Sequence, residues 1–394
     1  MAGNSTQIYL DHAATTPMVQ PAITALTTQI LKTGNASSLH STGRSVRKEL
    51  EESREAIAKA AGCIASEIIF TGSGTEANNL AIKGLYWLGA KSGKKTIISS
   101  TFEHHAVLDP IKWLAEHEGA TVIEIPVSKS GEIDLNQLKQ AIDQNGSQTA
   151  LISIMHANNE IGTVQPIAEI VKIAGAIPVH TDAVQSFGKI DFNFASLGVT
   201  AATISAHKVG GPLGVAALIL RKGLDIEPVL HGGGQERDIR SGTFNAPGII
   251  AFAAAATDAV ANKKDRELKV RALKELLIKN VLSAVPDCWV NGISEKTLPG
   301  IVNITFPGTD SEALLLLLDM QGIACSTGSA CSAGVHRPSH VLMALGATED
   351  EATSALRFSI SYTNNQDEIE KLASVIGDVV AKSRAATSKK VFSS

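Results

Sequence analysis

The chain has 394 residues, 44% of them apolar and 19% charged, with a formal net charge of −4, so it can bury a large core in two or three domains. That charge gives no electrostatic case for direct nucleic-acid binding or for an anionic membrane, and the longest apolar run, Ile249 to Ala256, falls well short of the ~20 residues that span a bilayer. Four cysteines (Cys63, Cys288, Cys325 and Cys331) follow no disulfide pattern, and Met1 to Gln7 is polar and unlike a secretory signal, which together point to a cytoplasmic protein.

In chain order, Thr42 to Ala61 reads as a helix, with Val46, Leu50 and Ile57 on one face, Ser41 as its cap and Gly62 as its stop. Short β-like runs then alternate with helical patterns: strand Glu67 to Thr71, helix Glu76 to Leu88, strand Thr96 to Ser99, helix Ala106 to His117, strand Thr121 to Ile125. Strands Ala150 to Ile154, Pro178 to Thr181, Ala201 to Ser205 and Val215 to Leu220 continue the series. Such alternation implies βαβ crossovers and a mostly parallel sheet, whose ligands sit at the carboxyl ends of the strands. After Pro247 one long helix is expected, roughly Gly248 to Ala284. Strand Ile301 to Phe306, helix Glu312 to Met320, strand Leu356 to Ser361 and helix Asp367 to Lys382 follow, with Ala385 to Ser394 frayed. The expected fold class is α/β. A large domain spans 15–261, and a smaller α+β domain combines 1–14 with 262–394.

Residues that carry chemistry cluster at the strand ends. Gly72-Ser73-Gly74-Thr75 follows a strand and opens a helix, where backbone N–H groups bind phosphate and glycine lets the anion approach. The segment also matches a dinucleotide fingerprint, but no acid ends the next strand before Glu103, which disfavours that alternative. Lys208 lies between Ala201-Ala202-Thr203-Ile204 and Val209-Gly210-Gly211-Pro212. Burial there would lower its pKa and make the amine nucleophilic; an exposed loop lysine is the alternative. Asp182 ends an earlier run. A lysine able to form a Schiff base, an aspartate able to hold a ring nitrogen protonated, and a phosphate turn are the parts of a pyridoxal 5'-phosphate (PLP) site.

Other residues have two readings each. His104 is either structural or stacked on a ring, shuttling protons. Asn158-Asn159-Glu160 is either a turn or a source of amides for a ring hydroxyl. Arg357, in the apolar strand Leu356-Arg357-Phe358-Ser359, needs an anion: a substrate carboxylate or a structural salt bridge. Cys331 lies in a run of small polar residues, Cys325 to Gly334, which suits an accessible thiol more than a buried one. Zinc at Cys325, Cys331, His336 and His340 is disfavoured by the wide cysteine spacing and the Ser/Gly run between. No resident metal is expected, and contact of Cys331 with an iron–sulfur cluster stays open.

Together these segments resemble the cysteine desulfurases of the class V aminotransferase group, PLP enzymes of fold type I with a seven-stranded sheet. The likeness covers nearly the whole chain. It runs through Tyr9-Leu10-Asp11-His12-Ala13-Ala14-Thr15-Thr16-Pro17, Gly34-Asn35-Ala36-Ser37-Ser38-Leu39-His40, Gly74-Thr75-Glu76-Ala77-Asn78-Asn79 and Glu103-His104. It continues with Asn158-Asn159-Glu160-Ile161-Gly162, Asp182-Ala183-Val184-Gln185, Ser205-Ala206-His207-Lys208 and Arg240-Ser241-Gly242-Thr243, and closes with Ser326-Thr327-Gly328-Ser329-Ala330-Cys331 and Leu356-Arg357-Phe358-Ser359.

The resemblance implies a role for each matching residue. Lys208 holds PLP and takes the substrate Cα proton, Asp182 pairs with the ring nitrogen, and His104 stacks on the ring. Gln185 and Asn159 contact the ring hydroxyl; Gly74, Thr75, Ser205 and His207 hold the phosphate. Thr243 reaches the phosphate of the partner subunit, so a homodimer is implied. Arg357, with Asn35, holds the substrate carboxylate, and Cys331 attacks sulfur. The implied reaction converts L-cysteine to L-alanine, leaving a persulfide on Cys331 for iron–sulfur scaffold or tRNA-thiolation acceptor proteins. A selenocysteine lyase is the neighbouring alternative. His12, Val184 and Ala206 depart from the commoner Asn, Thr and Gly. Cys325 either relays sulfur or packs on a strand.

Overall fold

The computed structural model describes residues 7–328 and 338–391. Strand β1 (Ile8–Tyr9) leads into helices α1 (Gln20–Ile30) and α2 (Ser41–Ala61). The main sheet comprises β2 (Ile68–Thr71), β3 (Thr96–Ser100), β4 (Thr121–Ile125), β5 (Thr149–Ser153), β6 (Val179–Asp182), β7 (Ala201–Ser205) and β8 (Ala216–Leu220). Their spatial order is β2-β8-β7-β6-β5-β3-β4. Only β8 runs antiparallel to its neighbours, β2 and β7; the other pairings are parallel. The expected mostly parallel, seven-stranded sheet is therefore present.

Every residue of β2, β3, β5, β6, β7 and β8 is buried. Helices cover both faces of such a sheet, which is why these strands read as continuous apolar runs. The helices include α3 (Gly74–Ala90), α4 (His105–Glu118), α5 (Leu135–Asn145), α6 (Ile167–Ala174) and the short α7 (Phe194–Leu197). Because β2 and β7 are both antiparallel to β8, they point the same way as β6, β5 and β3. With β4, which is parallel to β3, six carboxyl ends thus meet along one edge.

The chain then forms α8 (Ala246–Ala261), α9 (Lys263–Ala284), β9 (Trp289–Asn291), β10 (Ile301–Thr305), α10 (Ser311–Asp319) and β11 (Ile323–Ala324). After these come α11 (His340–Ala344), α12 (Glu349–Thr353), β12 (Ala355–Ser359) and α13 (Gln366–Val391). An antiparallel sheet β12-β10-β9 and a parallel β1-β11 pair accompany them. One apolar core joins Ile57, Phe70, Ile152, Ile204 and Phe252; another joins Leu277, Phe306, Leu318, Phe358, Ile376 and the N-terminal Leu10.

Three expectations are corrected. The long helix after Pro247 breaks at Asn262. Its first half buries Ala251, Phe252, Ala255 and Ala256 and packs on α1 and α2; its second half faces α13 through Val270, Leu273, Leu277 and Val281. One straight helix cannot serve both cores, and Asn262 Nδ2 donates to the Asp258 carbonyl (3.0 Å) at the break. The last helix does not end near Lys382, and the segment from Ala385 to Val391 is helical: α13 continues to Val391. Ser383 Oγ accepts from Asp310 N (3.3 Å), and Arg384 donates to Pro307 O (2.9 Å) and to Asp287 (2.7 Å). Finally, α2 is capped by His40, whose Nδ1 accepts from Gly43 N, so Ser41 is its first helical residue. Gly62 ends it as expected, at φ +67°.

Candidate active site

A cavity of about 400 Å³ opens at the shared carboxyl edge of the sheet. Gly74, Thr75, His104, Asn159, Asp182, Gln185, Ser205, His207, Lys208 and Arg357 all line it, although they come from segments far apart in sequence.

At one end β2 turns into α3. Ser73 caps the helix, its Oγ accepting from Glu76 N (3.1 Å), while Glu76 Oε2 accepts from Gly72 N (2.7 Å). A Cβ on Gly74 would stand 3.1 Å from Val184 Cγ2 and 3.7 Å from Ser205 Cβ, so glycine keeps this wall open. Ser205 ends β7, and His207 Nδ1 lies 3.3 Å from Thr15 Oγ1. Burial pushes the His207 imidazole down to about 4, helped by Lys208 and Lys189, so the ring is neutral near pH 7.

Lys208 follows in a 3-10 turn. Its Nζ donates to the carbonyls of Ala13 and Ala14, each at 2.6 Å. Burial, then the Arg357 guanidinium, pushes its pKa down to about 8. Asp182 closes β6 and is 7% exposed. Its Oδ2 accepts from Asn78 Nδ2 (2.7 Å) and its Oδ1 from Val184 N (2.9 Å), which fixes the carboxylate at the cavity wall. His104 caps α4, its Nδ1 accepting from Ala106 N (3.0 Å); that bond puts the neutral ring's proton on Nε2. Desolvation lowers its pKa despite Asp182.

Beside it, Glu103 is fully buried. Its Oε1 accepts from Ser100 Oγ (2.6 Å) and Met155 N (2.8 Å), while Oε2 has no hydrogen-bond partner. Burial pushes this carboxyl up to about 8. Glu103 thereby ties the end of β3, which carries His104, to the segment after β5, which carries Asn159.

For Arg357 the structural salt bridge is present. Its Nη2 pairs with Asp11 Oδ1 (2.7 Å) and its Nη1 donates to Asn159 O (3.0 Å), yet the buried Nε has no partner. The backbone of Arg357 pairs with Ser326, which lines the cavity together with Gly328. Asn158 is the turn former, its Oδ1 accepting from Glu160 N and Ile161 N, whereas Asn159 faces the cavity. Gln185 donates from Nε2 to Ala13 O (2.8 Å) and accepts from Lys189 Nζ at Oε1 (3.0 Å).

Asn35 and Thr243 are not brought to this cavity. Both are exposed; Asn35 Oδ1 accepts from Ser37 N (2.9 Å), and Thr243 lies near Phe70 and Gly72. Cys331 lies outside the described residues. Cys325 packs in the core that holds Leu10, and burial pushes its thiol up to about 12; Cys63 is likewise at about 12 and Cys288 at about 11. None of the three is a nucleophile near neutral pH. Sequence reasoning gave no role to Asn78, Asp11 or Glu103. The spacing of Asn78, four residues after Gly74 on the same helix face, was the available signal.

The donor set fits a phosphorylated ring. The start of α3, Ser205, the fixed Asp182 carboxylate, the Lys208 amine and the Arg357 guanidinium with its unpartnered Nε–H all line the one cavity.

The class-V aminotransferase family pattern matches residues 8–372, so the chain belongs to that family, and its fold is that of the fold type I PLP-dependent enzymes. Among its relatives, the IscS-like cysteine desulfurase of Mycobacterium tuberculosis is 44% identical over 383 residues, 96% of this chain and 97% of the relative. The cysteine desulfurase IscS of Dictyoglomus turgidum is 42% identical over 382 residues, 96% and 95% of the two chains. A solved NifS-like protein superposes with a TM-score of 0.89 at 34% identity, covering 96% of this chain and 100% of that one. The NifS-like protein of Rickettsia africae gives 0.86 at 36% identity, covering 95% and 99%. No helix among the described residues is long and apolar enough to cross a membrane.

Proposed function

We propose that the chain is a PLP-dependent cysteine desulfurase that takes sulfur from L-cysteine onto Cys331 and releases L-alanine. The observation that carries the reading is the convergence of Lys208, Asp182, the Gly74 cradle and Arg357 on one cavity, with Ser326 and Gly328 at its wall just before Cys331.

The start of α3, Ser205 and His207 would hold the phosphate, Asp182 the ring nitrogen, and Gln185 and Asn159 the ring hydroxyl. Bound there through Lys208, PLP would supply an electron sink that acidifies the Cα–H of an amino acid. Arg357 binds the substrate carboxylate through its unpartnered Nε–H, with Asp11 and Asn159 O fixing the guanidinium plane. Lys208, whose amine loses its proton near pH 8, removes the Cα proton. His104 lies against the ring and carries a proton on Nε2. The Cys331 thiolate attacks the substrate Sγ. An S–S bond forms, the Cβ–Sγ bond breaks with its electron pair left on carbon, and protonation of that carbon gives alanine. The persulfide passes to acceptor proteins of iron–sulfur assembly or tRNA thiolation in the cytoplasm. Asn35 and Thr243, exposed in a single chain, act in a homodimer, Thr243 on the partner's phosphate.

Purified protein mixed with L-cysteine and a thiol reductant should release alanine and sulfide in equal amounts, and Cys331→Ala should abolish both. Neither product from protein shown to contain PLP would sink the assignment.

A further inference from the structure

Lys189 has no part in that chemistry, yet it touches it. Segment 183–190 winds as a short helical turn, with Phe187 N donating to Ala183 O (2.9 Å) and Ile190 N to Ser186 O (3.2 Å). Gln185 and Lys189, four residues apart, therefore share one face. Lys189 Nζ donates to Gln185 Oε1 (3.0 Å), and Gln185 Nε2 donates to Ala13 O (2.8 Å). A carbonyl oxygen only accepts and an ammonium only donates, so these two partners leave the Gln185 amide a single orientation. The second Nε2 proton is then the amide donor left for the cavity that Gln185 lines.

We propose that Lys189 is a positioning residue that locks Gln185 so that its N–H, and never its carbonyl, faces the ring hydroxyl oxygen of the cofactor. The inference rests on the PLP reading and deepens it. Lys189 is held here at electrostatic expense. The groups facing it are His12, His207, Lys208 and Arg357, and burial with the latter two cations pushes its amine down to about 7. A donor to the ring oxygen favours the ionised oxygen and makes the proton shared between cofactor and Lys208 more acidic. Without Lys189, only the bond to Ala13 O opposes turning the amide carbonyl to that oxygen.

The test is a pH titration, from about pH 5 to 9, of the visible absorbance of the reconstituted holoprotein. Lys189→Met should raise the midpoint by about one unit, a tenfold change in proton affinity. Loss of a neighbouring positive charge would also raise it, so Lys189→Gln, which keeps an N–H donor without charge, separates the causes. Under the proposal Lys189→Gln titrates with the wild type. A Met variant whose band and midpoint match the wild type overturns the proposal, and so does a Gln variant shifted as far as the Met variant. Should Lys189→Met not fold, Lys189→Ala carries the same prediction. A folded wild-type protein that acquires no visible band fails the PLP reading itself, an outcome distinct from either.

Discussion

Arg357 is a buried side chain to which the proposed function gives a binding role beside its structural one. Two of its nitrogens are fixed by Asp11 and by Asn159 O, and the third waits. Arg357→Lys keeps a cation for Asp11 but has no planar fork. It should raise the KM for L-cysteine about 10- to 100-fold, the span expected for a charge-assisted hydrogen bond worth ~1.5–3 kcal/mol, and leave the cofactor absorbance unchanged. Steady-state kinetics beside a spectrum would decide it; an unchanged KM would remove Arg357 from substrate binding. Glu103 belongs to the same scale. Its folded pKa, about 8, lies above the ordinary 4.5, so between those values the folded state holds a proton that the unfolded state lacks. Stability from this group is present below about pH 4.5 and lost as pH rises through about 8. Glu103→Gln keeps an oxygen for Ser100 and Met155 and cannot ionise. Its Tm should match the wild type at about pH 5 and exceed it by a few degrees at about pH 8.5, as melting curves at the two pH values would show.

At the scale of elements, the site is a set of strand and helix ends. Gly74 opens α3 against Val184 and Ser205, and a methyl at 3.1 Å from Val184 Cγ2 forces one of them toward the cavity. Gly74→Ala should weaken PLP binding about tenfold in a reconstitution titration, with little change in Tm, because helix propensity improves while the cradle narrows. Equal affinity would mean that the phosphate lies elsewhere. The element ends were legible in the sequence: β4 and β7 match their expected bounds, and the other strands of the main sheet begin or end one residue away. Buried parallel strands announce themselves as apolar runs, so Asp182, Lys208 and His104 stood out as polar residues just where those runs stop. Less legible was the break at Asn262, since a helical pattern with both halves apolar does not say that each half faces a different core.

Across the whole molecule, the N-terminal turn Asp11 to Thr16 links the two cores. It accepts from Lys208 and Gln185 at Ala13 O, pairs Asp11 with Arg357, and donates from Ala13 N to Ser359 Oγ. Asn35 and Thr243 stay outside this assembly in one chain. Light scattering should therefore give twice the 41.2 kDa chain mass, and Thr243→Ala should speed PLP release from the holoprotein several-fold without altering that mass. A monomeric, active holoprotein would contradict the dimer.

The sequence by itself determined the order of elements, the strand-end location of the site and the residue types it offers, because periodicity, apolar runs and turn residues act within a few positions of one another. Only the tertiary structure decided which groups are joined. Asn78 meets Asp182 across 104 residues and Asp11 meets Arg357 across 346, and burial of Lys208, Glu103 and Cys325 sets their acidities. Those properties depend on the distance and desolvation that packing imposes between segments, and no local pattern encodes either.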